Sequence, residues 1–237
     1  MTLVTSPRAH ARPVIAVTGM AFEARIVRGP GVEVVFSMCA DRLEQALVAA
    51  VAHGCSGIIS FGTAGGLAPD LAPGALIVAD AIEGPAGRCP TDPVWSARLI
   101  AALKASPLAP QLHYGPLLAS AAPLLSARDK ADLHRVTGAL AVDMESYVAA
   151  KIAHAHGVPF AVCRAIVDPA SRTLPKAAMV GLRADGHTAV IPVLRELMRN
   201  PAQLRPLLQV AADARVARAA LVASREALAQ AGALRFD

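Results

Sequence analysis

Short apolar runs alternate with amphipathic stretches along most of the chain, which is the pattern of strands alternating with helices. Pro13 to Thr18, Val32 to Met38, Gly57 to Phe61 and Gly74 to Asp80 read as strands, as do Gly115 to Ser120, Leu140 to Met144 and Phe160 to Val167. Asp41 opens a helix to about His53, with Gly54 just past its end. Thr91-Asp92-Pro93 opens another to about Lys104, with a capping residue ahead of proline in the first turn. Ser126, with Asp129 where a capping box carries Glu or Gln, opens a third that closes near Gly138. Glu145 to His156, closed by Gly157, is a fourth. Residues 187–199 and roughly 203–230 are helical, interrupted by Pro201 and Pro206.

This alternation predicts an α/β fold, a single-domain three-layer sandwich whose mixed central β-sheet is flanked by helices. One domain over residues 13–237 follows from the lack of a second apolar core, an internal repeat or a linker. Residues 1–12 carry Pro, Arg and His without an apolar core segment, so they read as a flexible arm and not a secretion signal. In such folds a ligand lies beyond the carboxyl ends of the strands.

Composition narrows the chemistry. Hydrophobic residues make up 54% of the chain and charged ones 17%, which suits a large core and excludes general disorder. The formal charge of +5 is spread over both ends, and one Trp, two Tyr and five Phe leave few rings to stack on bases. Nucleic acid is therefore excluded as a partner, and an anionic small molecule or a membrane surface suits the charge better. Cys39, Cys55, Cys89 and Cys163 lack C-x-x-C spacing, and His154 and His156 point in different directions on a helix. Free thiols, no metal and a cytoplasmic location are expected. No apolar segment approaches the roughly 20 residues that span a bilayer.

Four strand ends gather charged and small residues. Glu23 follows the first strand and reads as a pocket carboxylate or as a first-turn acid favoured by the helix dipole. Gly62-Thr63-Ala64-Gly65-Gly66 is neither a P-loop nor a dinucleotide fingerprint, but it lets backbone N–H groups converge on an anion. A bare glycine turn explains the same residues. Asp143 and Glu145 share a strand face unless a helix begins at Glu145. Met144 and Glu145 together suit a ribose, with an apolar surface for the ring and a carboxylate for its hydroxyls. Asp168 lies four residues after Arg164 on the same expected strand face, so Arg164 is placed to steer it; Asp168 also reads as a turn residue before Pro169.

In order and spacing, Gly19-Met20 with Glu23, Phe61 to Leu67, Val142-Asp143-Met144-Glu145 and Arg164 to Asp168 resemble the signature segments of the purine nucleoside phosphorylase and methylthioadenosine/adenosylhomocysteine nucleosidase superfamily. The resemblance implies a nucleoside phosphorylase-like fold and cleavage of an N-glycosidic bond, with no cofactor and with phosphate as co-substrate where the reaction is phosphorolytic. It implies Asp168 as the acid that assists protonation at purine N7 and Glu23 as the carboxylate that orients water. It also implies Met144 and Glu145 under and on the ribose, and Thr63, Ala64 and Gly65 around the phosphate or water.

Two departures stand out. Ser120 to Leu125 replaces the family's segment bearing a stacking ring, so Leu124 and Leu125, with Arg164, are left for the base pocket. Ser60 stands where bacterial phosphorylases carry an Arg for phosphate, and Arg25 or Arg28 is the nearest substitute. Phe22-Glu23-Ala24-Arg25 and the Ala-rich character resemble the hopanoid-associated phosphorylase branch, which implies removal of adenine from adenosylhopane by phosphorolysis, with phosphate as the acceptor. The apolar segment Leu174 to Leu182 then lines the lipid exit or forms an inter-helix lid. The Arg-bearing C-terminal helices rest on a membrane face, the surface or a second subunit, a homo-oligomer being the family pattern. Two alternatives remain: a hydrolytic methylthioadenosine/adenosylhomocysteine nucleosidase, and a non-catalytic nucleoside- or lipid-binding protein.

Overall fold

A computed structural model describes residues 12–181 and 189–235. Of the expected arm only Arg12 is described; Leu182 and the first two residues of the expected 187–199 helix lie outside the described residues. The strands are β1 (Val14–Thr18), β2 (Val32–Phe36), β3 (Gly57–Gly66), β4 (Leu76–Gly84), β5 (Gly87–Pro90), β6 (Leu112–Ala119), β7 (Ala141–Asp143) and β8 (Phe160–Asp168). The helices are α1 (Ala21–Val27), α2 (Ala40–Ala52), α3 (Pro93–Lys104), α4 (Ala127–Thr137), α5 (Ser146–Ala155), α6 (Lys176–Met179), α7 (Val190–Arg199) and α8 (Leu204–Gln230).

The strands form one mixed sheet in the order β2-β1-β3-β7-β6-β4-β5, with β8 bridging β3 in parallel and β4 antiparallel. The pairings β3–β7–β6–β4–β8–β3 therefore close on themselves. Alternation along β1 sets the layers. Ile15 and Val17 join a core with Leu43 and Leu47 of α2 and Ala149 of α5; Val14 and Ala16 join one with Leu99 of α3 and Leu221 of α8. Both faces of the sheet are covered by helices, which is the expected three-layer α/β arrangement.

Local chemistry accounts for the helix starts. Asp92 Oδ1 accepts from Trp95 N at 2.7 Å, so Asp92, directly ahead of Pro93, makes the expected cap. Ser126 Oγ accepts from Arg128 N and Asp129 N at 3.2 and 3.4 Å. Asp41 sits inside α2 instead of capping it. Pro206 lies in the first turn of α8, where its missing N–H has no helical partner to lose, so α8 runs unbroken from Leu204 to Gln230.

Two further differences concern the strands. The Gly-rich segment is not a turn: β3 continues through Gly66, because residues with little or no side chain allow β7 and β8 to pack closely on either side. A Cβ on Gly66 would lie 3.3 Å from Asp168 O and from Ile166 Cγ2. The short strand β5, absent from the sequence reading, pairs antiparallel with the end of β4.

Candidate active site

The ends of β1, β3, β7 and β8 meet at a cavity of about 580 Å³. Glu23, Thr63, Asp143, Glu145 and Asp168 are among its lining residues. Met20 and Met144 lie beside them, with Phe22 bringing the one aromatic ring found in the wall among the described residues. Apolar lining comes from Leu174, Met179 of α6, Val193 of α7, and Leu207 and Val210 of α8.

Glu23 is almost wholly buried and all its lone-pair directions are used. Oε2 accepts from Gly19 N at 3.1 Å and Met20 N at 3.0 Å. Oε1 accepts from Thr63 N at 2.8 Å and Thr63 Oγ1 at 2.7 Å. The Met20 bond is the reciprocal half of a capping box at the start of α1, so a local helix signal also ties β1 to β3. Gly62 makes room for this: a Cβ there would lie 2.8 Å from Glu23 Cδ and 2.7 Å from Arg164 Nη1.

Arg164 sits fully buried under the carboxylates. Its Nε approaches Asp143 Oδ2 at 2.8 Å, an ion-pair contact without hydrogen-bond alignment. Nη2 lies 3.3 Å from Glu145 Oε2 and donates to Ser60 Oγ at 2.6 Å, and Nη1 donates to Thr63 O at 3.2 Å. Burial pulls the guanidinium pKa down, but Asp143, Glu145 and Glu23 outweigh it and the net shift is upward. Asp143 accepts from Ser146 N at 3.1 Å and also from Ser146 Oγ, which fixes the start of α5 and the turn that carries Glu145. Burial raises the Glu145 pKa to about 7; Arg164 opposes this, while Asp143 and Glu23 add to it. A Cβ on Gly19 would collide with Glu145 Oε1, so that glycine admits the carboxylate.

Asp168 is paired with Lys130 of α4, not with Arg164. The expected shared face of Arg164 and Asp168 fails because the pairing of β8 with β3 shifts: Ala64 opposes Ile166, but Gly65 opposes Asp168. One extra residue reverses the alternation, turning Asp168 to the other face. Burial raises the Asp168 pKa, and Lys130 opposes that through its charge and hydrogen bond.

Several expected site residues lie elsewhere. Arg25 is exposed and does not line the cavity, because it falls on the outer face of α1. Arg164 sits beneath the carboxylates and does not form a wall of the cavity. Leu124 lines the cavity, whereas the Leu125 side chain is 39% exposed and its carbonyl accepts from Leu174 N at 2.8 Å. Ala64 and Gly65 join Thr63 in the wall. Lys130 and Phe22 were missed. A lysine on an otherwise exposed helix reads as solvated, although Lys130 is the one buried residue of α4. Among the described residues no group of three His, Cys, Asp or Glu side chains is placed to hold a metal ion, and no helix is long and apolar enough to cross a membrane.

The fold has counterparts among solved structures. The S-adenosylhomocysteine nucleosidase of Streptococcus pyogenes, in complex with 5-methylthiotubericidin, is similar with a TM-score of 0.60 and 21% identity over 70% of this chain and 87% of that one. The 5′-methylthioadenosine/S-adenosylhomocysteine nucleosidase of Helicobacter pylori, with butyl-thio-DADMe-Immucillin-A, gives 0.67 and 17% over 94% and 99%. Futalosine hydrolase from Helicobacter pylori gives 0.59 and 18% over 67% and 88%. No curated protein matches significantly by sequence. The sequence pattern of the Phosphorylase superfamily matches residues 10–185, and with the segments from Gly19 to Asp168 inside that match, the chain belongs to the Phosphorylase superfamily.

Proposed function

We propose that the protein cleaves the N-glycosidic bond of a purine nucleoside whose ribose carries a large apolar group on its 5′ side. The observation behind this is one cavity lined both by Glu23, Glu145 and Asp168 and by apolar side chains of α6, α7 and α8. Glu145 accepts from the ribose hydroxyls and Met144 packs against the ring. Asp168 protonates the purine at N7, so the electrons of the breaking C1′–N9 bond pass into a neutral leaving base. Carboxylates beside the sugar favour the positive charge that develops on it.

The wall favours water as the nucleophile. Lys130, the one cation lining the cavity among the described residues, is spent on Asp168 and two carbonyls, so phosphate lacks a partner there. Thr63 N and Oγ1 are already donated to Glu23. With every Glu23 lone pair occupied, the attacking water donates to Thr63 Oγ1, which in turn donates to Glu23.

Adenosylhopane, implied by the branch resemblance, suits the apolar lining from α6, α7 and α8, since each methylene buried there adds roughly 0.8 kcal/mol. The similar Helicobacter nucleosidase is complexed with a ligand named for its butyl-thio group, which supports an apolar substituent on a ligand of this fold. Val190, Ile191, Leu194 and Met198 form an exposed apolar stripe on α7 beside Arg195 and Arg199, which suits peripheral contact with an anionic membrane carrying such a lipid. The test is incubation with adenosylhopane, 5′-methylthioadenosine or inosine, with and without phosphate, and identification of both products. Free adenine and free sugar in phosphate-free buffer are expected. A sugar 1-phosphate formed only with phosphate overturns the choice of water, and no base from any nucleoside overturns the reading.

A further inference from the structure

Lys130 is fully buried on a helix whose other residues are exposed or half-exposed. An ammonium group in that position is costly unless every N–H finds an acceptor. Here all three do: Nζ donates to Asp168 Oδ2, to Pro169 O at 3.2 Å and to Arg172 O at 3.1 Å. Both carbonyls belong to the segment just after β8, so α4 holds the strand end that carries Asp168. Oδ1 of Asp168 has no hydrogen-bond partner among the described residues, and both Asp168 and Lys130 line the cavity.

We propose that Lys130 is a positioning residue for the acid: it holds one oxygen of Asp168, leaves the other to the purine, and its charge stabilises the carboxylate that remains after proton transfer. This rests on Asp168 being the acid. The proton leaves Asp168 Oδ1 for N7, the C1′–N9 electron pair passes to the base, water bonds to C1′ and releases a proton to solvent, and Asp168 takes one proton back from solvent, while Lys130 only donates hydrogen bonds.

The other charged groups facing Asp168 are Asp213 of α8 and Arg172 of the following loop. These two bind each other, with Arg172 Nη2 2.7 Å and Nε 2.9 Å from Asp213 Oδ2, so their effects on Asp168 oppose. Lys130 is the cation left to balance the burial of Asp168.

The sign of the test follows. Removing Lys130 makes Asp168 a weaker acid that stays protonated to higher pH, so the alkaline limb of kcat moves upward while the plateau falls. For Lys130→Met, the limb is expected to rise by about one pH unit or more, as loss of an adjacent opposite charge does. The plateau is expected to fall by roughly tenfold or more with KM little changed. Lys130→Arg, which keeps the charge, should hold the limb near its wild-type position. Lys130→Gln retains an N–H for the loop carbonyls and loses only the charge, so it must show the same displacement as the Met variant even if that one folds poorly. The assay follows adenine release from whichever of 5′-methylthioadenosine and adenosylhopane the wild type cleaves. An unmoved limb in folded Lys130→Gln overturns the proposal, leaving Lys130 a structural clamp. Full activity in Asp168→Asn removes instead the assignment of Asp168 on which it rests.

Discussion

Arg164 and Glu145 form an ion pair below the cavity floor, with Nη2 3.3 Å from Oε2 and the guanidinium fully out of solvent. The same guanidinium meets Asp143 at 2.8 Å, so one buried cation serves two carboxylates on opposite sides of Met144. A pair of this kind adds little net stability, but removing one member leaves uncompensated charge. Arg164→Met is therefore predicted to destabilise the protein by about 3–5 kcal/mol. Denaturant unfolding at pH 8 checks this, and a loss below about 1 kcal/mol would contradict the pairing.

Glu145 should place an acid limb on catalysis. Burial lifts its pKa to about 7, and the proposed ribose contact needs the carboxylate as an acceptor. Hence kcat/KM, which reports the free enzyme, is expected to rise with pH through about 7. Stability runs the other way. The folded state holds this proton more tightly than the unfolded chain, so the contribution is complete below about 4.5 and lost as pH rises to about 7. Wild type should lose stability relative to Glu145→Gln across that window, and parallel stability curves would count against the shift.

Thr63 is expected to matter through its hydroxyl. Thr63→Val keeps the shape and the backbone bond to Glu23 but removes the Oγ1 bond of 2.7 Å. A drop in kcat of roughly 10²-fold is predicted, with recovery in Thr63→Ser. Equal losses in both variants would point to packing instead of proton transfer.

Gly62 tests the geometry under the site without touching substrate. Its would-be Cβ lies within 2.8 Å of both Glu23 and Arg164, and both side chains are held by several bonds. Gly62→Ala should cost about 1–3 kcal/mol by overpacking and lower activity as well. Wild-type melting and turnover in that variant would show that these side chains can move aside.

Much of this arrangement was legible before folding. Apolar runs marked seven of the eight described strands, most plainly β1, β3, β4 and β8, because a strand buried on both faces must be apolar almost throughout. Val142 to Glu145 and Gly62 to Gly66 stood out because charge and missing side chains are unusual at the ends of such runs. The short β5 was not legible, since four residues with a glycine and a proline carry no strand signal of their own. The continuation of β3 past Phe61 was equally hidden, because glycine is ordinary in turns and its place in a strand is decided by the close approach of β7 and β8.

The sequence by itself determined which residue types were available: three carboxylates at strand ends, a stretch with almost no side chains, and no stacking ring between Ser120 and Leu125. Tertiary structure decided which cation each carboxylate meets. The shift of register in β8 parted Asp168 from Arg164, only four residues away, and turned it to Lys130, 38 residues distant along the chain. Periodicity assigns a side chain to a face only while the register holds. A bulge is set by how two strands fit against each other, and a buried lysine by the acceptors that close around it. Both are properties of contacts between distant segments.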